Sequence, residues 1–268
     1  MKIGNTALRF LTVAPLVPLL VWAIVWERHL AFSLVIAVAT PLTLFEFFGM
    51  SLKDPAERWF GILAGTGLAA AFYWWPPSVI AVIPAAVILP ALFYLFRFGD
   101  LATVMTRLGL TTFGIFYAGF LIAFVAMQKR DLPHGGDWVL ITLMTAWFGD
   151  TGAYFAGKAF GKNKLYPAIS PGKTRAGAVG GLFGSVGASV LANLWFFPEL
   201  GWVHGVIVTL VGSMLGQTGD LVESMMKRSF GVKDSGKLLP GHGGILDRID
   251  AVIFIAPWVY LYATFFWR

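Results

Sequence analysis

The sequence predicts an all-α, polytopic integral membrane protein with about nine transmembrane helices and a cytoplasmic N-terminus. Three observations carry that prediction. Of 268 residues, 57% are hydrophobic and only 13% charged, against roughly 45–50% and 25% in an ordinary soluble domain. Apolar runs recur along the whole chain, and each span of a bilayer needs about 20 residues. The cations, finally, sort strongly by side once the runs are threaded alternately through a bilayer.

Pro, Gly and charge pairs cut the runs into nine segments. The first, 7–26, follows Lys2 and Arg9 and ends at Trp26-Glu27-Arg28 without a small-residue cleavage site. It therefore reads as an uncut first span rather than a secretory signal. The second, 30–50, carries a solitary acid, Glu46, read as a protonated or hydrogen-bonded structural carboxyl. The third and fourth, 59–75 and 76–96, are divided only by Trp74-Trp75-Pro76-Pro77, where proline removes backbone donors and predicts a tight re-entrant turn. The remaining five run over 109–127, 137–157, 176–197, 201–228 and 250–267. Nine spans consume on the order of 190 residues and leave no room for a separate soluble domain.

With nine spans, 16 of the 20 Lys and Arg fall on one side, and Arg28, Lys129, Arg130 and Arg268 on the other. That asymmetry predicts a cytoplasmic N-terminus and cytoplasmic long loops. It also explains the net charge of +6 and pI of about 9.6 without nucleic acid, because basic loops face an anionic leaflet. The absence of cysteine excludes disulfides, thiolate metal sites and cysteine nucleophiles. Residues 1–130 have short connections and read as supporting helices with lipid access or dimer contacts. Residues 131–268 hold the two longest loops, 158–175 and 227–250, and read as the half carrying the site.

Asp150, Asp220 and Glu223 lie inside apparent spans, where an acid costs about 2.5–3.5 kcal/mol at mid-membrane. All approach the cytoplasmic ends of their helices, and Asp247 and Asp250 stand where the last span begins. These five are expected to meet in one cavity open to the cytoplasm. Asp220, Glu223 and Lys227 share a helical face at i, i+3 and i+7, and Asp247 and Asp250 repeat the i, i+3 pair. The alternative is buried ion pairing with Lys227, Arg228 and Arg248. Clustered oxygen ligands favour Mg²⁺; His29, His134 and His204 lie near span ends on the far side and lack zinc-site spacing.

The 158–175 loop brings five cations, Ser170 and Thr174 to the start of a helix near Ala176, an arrangement suited to phosphate. Gly172-Lys173-Thr174 resembles the tail of a Walker A loop, but the upstream glycine spacing and strand are missing, so a P-loop is rejected. In 219–250 carboxylates alternate with cations around Pro240-Gly241-His242-Gly243-Gly244, the mixture that a metal–polyphosphate site needs.

The run from Ser224 to Asp250, through Lys233-Asp234-Ser235-Gly236 and Pro240-Gly241-His242-Gly243-Gly244-Ile245-Leu246-Asp247-Arg248-Ile249-Asp250, resembles the signature of phosphatidate cytidylyltransferases, the CDP-diglyceride synthetases. Trp147 to Tyr154 and Ser170 to Thr174 are similar to that family's upstream motifs. Gly172, Arg175 and Ala176 depart from it, standing where the family has a lysine, an apolar residue and a glutamate, so no carboxylate acts at position 176.

The resemblance implies CTP plus phosphatidate giving CDP-diacylglycerol and pyrophosphate in phospholipid biosynthesis, at the cytoplasmic face of the inner membrane, by a protein similar to homodimers. On that basis Asp220, Asp247, Lys227, Arg248 and Asp250 are the expected catalytic residues. Ser170, Lys173, Thr174, Arg228, Lys233, His242, Gly243 and Gly244 are the expected phosphate-binding ones. Mg²⁺ is expected on Asp220 and Asp247, with Asp150, Glu223 and Asp250 as further candidates and a second cation left open. An ion-coupled transporter is the alternative from another class, and a CTP-dependent polyprenol or phytol kinase the alternative enzyme. The motif of CDP-alcohol phosphatidyltransferases is absent.

Overall fold

A computed structural model describes residues 17–239, 241 and 243–267. The first expected span lies outside them over residues 7–16, as do Lys2, Arg9, Pro240, His242 and Arg268. Chain contacts define two compact units, the first holding Arg28–Ala126 and Asp234–Arg248 with the residues up to Ala23, the second Ile24–Glu27, Met127–Lys233 and Ile249–Arg268.

In the first unit, residues 17–23 belong to the helical stretch 17–25 (α1). They are followed by α2 (His29–Ser51), α3 (Pro55–Trp74), α4 (Val79–Phe96) and α5 (Leu101–Gly114), which continues through a π-turn at Ile115–Phe120 into α6 (Leu121–Asp131), of which the residues from Met127 on belong to the second unit. Asp54 starts α3 by accepting the Ala56 amide at 2.8 Å with Pro55 in the first turn, and Asp100 starts α5 in the same way. Both are N-caps, which satisfy otherwise orphaned amides. Leu44, Phe47 and Phe48 of α2 are fully buried. Gly61 and Gly114 admit them: a Cβ at either would fall 2.6 Å from Phe48 or 2.5 Å from Phe47. Glu57 and Arg107 form an ion pair, with the guanidinium 5.4 Å above the Tyr94 ring. The expected turn after Trp75 is a 3₁₀ turn, Pro76–Ser78.

The second unit is built on α7 (Gly135–Phe160), α8 (Arg175–Leu191), α9 (Trp202–Ser229) and α11 (Val252–Phe265). Here α7 and α8 approach through glycine. A Cβ at Gly152 would stand 2.4 Å from the Gly180 carbonyl, and one at Gly184 2.3 Å from the Phe148 carbonyl. Small residues of this kind let helix backbones pack where no hydrophobic force separates protein from lipid. Buried polar groups are tied across the unit: Gln128 donates to the Ala256 carbonyl and accepts from Thr142, both at 2.9 Å.

This is a predominantly helical integral membrane protein. Among the described residues five helical segments are long and apolar enough to cross a bilayer: His29–Ser51, Val79–Phe96, Leu101–Asp131, Arg175–Phe196 and Trp202–Ser229; Val252–Phe265 is apolar but shorter. The helices from α2 onward fall where the apolar runs predict them. α7 has the length but carries Asp137, Asp150 and Lys158. The fold class needs one addition: 158–175 is not a plain loop but contains a two-stranded hairpin.

Candidate functional site

The hairpin pairs β1 (Lys164–Tyr166) antiparallel with β2 (Ser170–Thr174). Thr174 ends the second strand and caps α8, its Oγ1 accepting the Gly177 amide at 3.0 Å. Gly157 and Gly161 make this turn fit, since a Cβ at Gly161 would meet the Gly157 carbonyl at 2.1 Å and Thr174 Oγ1 at 2.8 Å. One residue earlier, Lys173 reaches α9 and pairs with Asp220 at 2.5 Å.

The two line a cavity of about 510 Å³ together with Gly149, Asp150, Lys158, Thr174 and Gln217. Both partners remain partly exposed, at 28% and 31% of their side chains, so the pair faces the cavity rather than a sealed core. Gly172 also lines it, and a Cβ there would meet nothing within 4 Å. The departure from the family motif therefore leaves open space. Gln217, which donates to the Ala178 carbonyl at 3.1 Å, was not singled out from the sequence; a lone amide in a span carries little signal.

Asp250 lies on the turn ahead of α11, its Oδ1 accepting the Ala251 amide at 2.7 Å. Gly219 lets α9 approach it, because a Cβ there would be 2.6 Å from the Asp250 carbonyl. Burial, then the charge of Asp220 and that of Asp150, push the Asp250 carboxyl up to about 7 against the stabilising Ala251 amide. Asp150 and Asp220 thus both act on Asp250.

Glu223 departs from the expected convergence. Its side chain is fully buried and pairs with Lys227 one turn on. Arg228 donates to the Val232 carbonyl at 3.3 Å. Arg228 and Lys233 are exposed and Ser170 half-buried.

In the first unit, 234–248 folds around two acids. Asp247 Oδ2 accepts the amides of Gly244 at 2.8 Å and Ser235 at 3.0 Å, while Oδ1 lies 3.2 Å from the latter. Gly243 has a φ of +79°, a left-handed conformation that favours glycine. A Cβ at Gly244 would lie 2.2 Å from Ser235 Oγ, so its glycine serves close packing. The Gly244 amide, expected against phosphate, is directed to Asp247. Arg248 is exposed. Glu46 is the other acid; its structural reading agrees with a Leu246 amide donating to Oε2 at 2.9 Å.

Among the described residues no three acids or histidines enclose an ion by themselves. Mg²⁺ does not require that, since it takes one or two carboxylates and completes its shell with water and substrate phosphate oxygens. Asp150 and Asp220, which line the cavity, fit that demand, and a cation there would also relieve the repulsion that both exert on Asp250.

Fold and site together define an integral membrane protein with a cavity to which Asp150, Asp220 and a lysine-bearing hairpin contribute. The chain belongs to the cytidylyltransferase family, whose sequence model matches residues 7–266. It is 53% identical over 143 residues to a phosphatidate cytidylyltransferase of Staphylococcus aureus (strain COL), covering 53% of both chains. It is 44% identical over 154 residues to one of Brucella melitensis, covering 57% of this chain and 56% of that one. It is 39% identical over 161 residues to one of Bacillus subtilis, covering 60% of each. The aligned segments thus span little more than half the length of these relatives. Family membership does not favour the transporter or lipid-kinase alternatives.

Proposed function

We propose that the protein is a phosphatidate cytidylyltransferase, converting CTP and phosphatidate to CDP-diacylglycerol and pyrophosphate. The observation that carries the reading is the cavity in which Lys173 of the hairpin meets Asp220 of α9 beside Asp150, within a chain of this family. A phosphatidate oxygen, already anionic at neutral pH, attacks the α-phosphorus of CTP. A new P–O bond forms as the bond to the α–β bridging oxygen breaks, and pyrophosphate leaves with the electron pair. No strong base is needed, and the difficulty is bringing two polyanions together.

Lys173, Arg228 and Lys233 neutralise phosphate oxygens in this scheme, and Ser170 and Thr174 orient the hairpin; Arg248 stays a candidate for the same role on the family resemblance. Lys227 holds Glu223 in place. Asp220 and Asp150, with Asp250 as a further candidate, would hold Mg²⁺, which would supply charge neutralisation on the triphosphate. Asp247 acts by shaping 234–248. We further place the N-terminus and the cavity on the cytoplasmic side of the inner membrane, with nine spans. Support comes from the 16:4 cation split and from the cytosolic origin of CTP. Homodimerisation is carried by family resemblance alone.

Purified protein in detergent with Mg²⁺, CTP and phosphatidate is expected to release pyrophosphate, and to release none when phosphatidate is omitted. Formation of CDP instead points to a lipid kinase, and no nucleotide turnover with bound CTP sinks the reading altogether. Gly172→Lys restores a cation into open space. It is expected to leave thermal stability unchanged and lower the KM for CTP by about fivefold, the worth of one partly exposed charge contact.

A further inference from the structure

We propose that Glu46 is a positioning residue for the 234–248 segment and, through it, for turnover; the second clause rests on the activity proposed above. Glu46 sits near the end of α2, in the sequence half that was read as support. Its carboxyl is buried, at 3% exposure. Oε2 accepts from the Leu246 amide at 2.9 Å and from the Ser235 hydroxyl at 3.3 Å.

Leu246 opens the single helical turn α10 (Leu246–Ile249), which carries Asp247 and Arg248. The first amides of any helical turn have no partner within it. Glu46 supplies that partner from a helix 200 residues earlier in the chain. The fit is tight on both flanks, since a Cβ at Gly236 would fall 2.3 Å and one at Gly244 2.4 Å from the Glu46 carboxyl. Asp247 ties the same segment from within, taking the amides of Ser235 and Gly244. Ser235 is therefore held twice, by its hydroxyl to Glu46 and by its amide to Asp247. A carboxyl used only to fill space is expensive in a membrane helix; one that fixes two donors of the segment bearing Asp247 and Arg248 has a reason to be there.

The test uses the full chain in detergent with Glu46→Ala, Glu46→Gln, Ser235→Ala and Glu46→Ala/Ser235→Ala. It reads pyrophosphate kinetics, melting temperature and amide hydrogen exchange of peptides within 234–248. In Glu46→Ala, kcat is expected to fall about thirtyfold, while KM for phosphatidate stays within about twofold and exchange in 234–248 rises about tenfold. Glu46→Gln keeps an oxygen for the Leu246 amide and is expected within about threefold of the parent in both readouts. Ser235→Ala should lie between them, and the double variant should be no slower than Glu46→Ala.

Parental turnover in Glu46→Ala overturns the proposal. So does a loss shared equally by the Gln variant that follows melting temperature and leaves the exchange of 234–248 unmoved. Exchange is read without substrate. A parent that releases no pyrophosphate therefore removes the activity reading, while the loop assignment stands or falls on exchange alone.

Discussion

Asp220→Asn is expected to lower pyrophosphate release by about 10²–10³-fold, the usual cost of removing one preorganised electrostatic group from a reaction centre, while the protein stays folded. The substitution keeps shape and removes only the charge that faces Lys173 across 2.5 Å. Lys173→Met is expected to be similarly slow. The informative variant combines them. If the pair served structure alone, neutralising both members would restore the balance and recover activity, because the damage in each single variant would be an uncompensated charge. If each member meets phosphate or the cation that accompanies it, the double variant stays as slow as the singles. Steady-state release of pyrophosphate from the three variants decides between these outcomes, and recovery in the double variant would remove both residues from the reaction.

Gly152→Val is expected to cost about 3 kcal/mol or more of stability, read as a large fall in the midpoint of thermal unfolding in detergent. The new Cβ would stand 2.4 Å from the Gly180 carbonyl and 3.1 Å from Gly184 Cα. Both are backbone atoms on α8, so no side chain can swing away and the helices themselves must part. Asp150 lies two residues before Gly152 on α7, and Lys173 and Thr174 lead directly into α8, so separation would also widen the cavity between them. Gly187→Ala on the same helix α8 is the control. Its Cβ meets nothing within 4 Å, and it should be neutral or gain up to about 1 kcal/mol from helix propensity. Equal melting temperatures for the two variants would dismiss the close-packing argument.

The helices were legible because burial in lipid demands long apolar runs, and these are written locally. Lys173 and Asp220 were also legible as site residues, the first from its Ser-Pro-Gly-Lys-Thr context and the second from the cost of an acid in a span. Their pairing was not, because nothing within either segment points to the other. The hairpin at 164–174 escaped notice since its strands, three and five residues long, are polar and too short for alternation to register. Helical spacing misled at one point: Asp220 and Glu223 lie three residues apart and point to the same side in projection. Yet the first reaches the cavity while the second is sealed against Lys227. Spacing specifies a face, and depth along that face comes only from packing. Glu46 shows the opposite limit, a residue conspicuous in sequence whose partners were too distant in the chain to guess.

That distance has a consequence for how the molecule is made. Ser235 lies 189 residues and Leu246 200 residues beyond Glu46. At roughly 5–20 residues per second, synthesis of α2 precedes that of its hydrogen-bond donors by about ten to forty seconds. For that interval the growing polypeptide carries an acid in an apolar helix before the segment that will receive it exists. The contact can close only once Leu246 has been made. A chain stopped before residue 235 keeps the acid but never gains the two donors that meet it here.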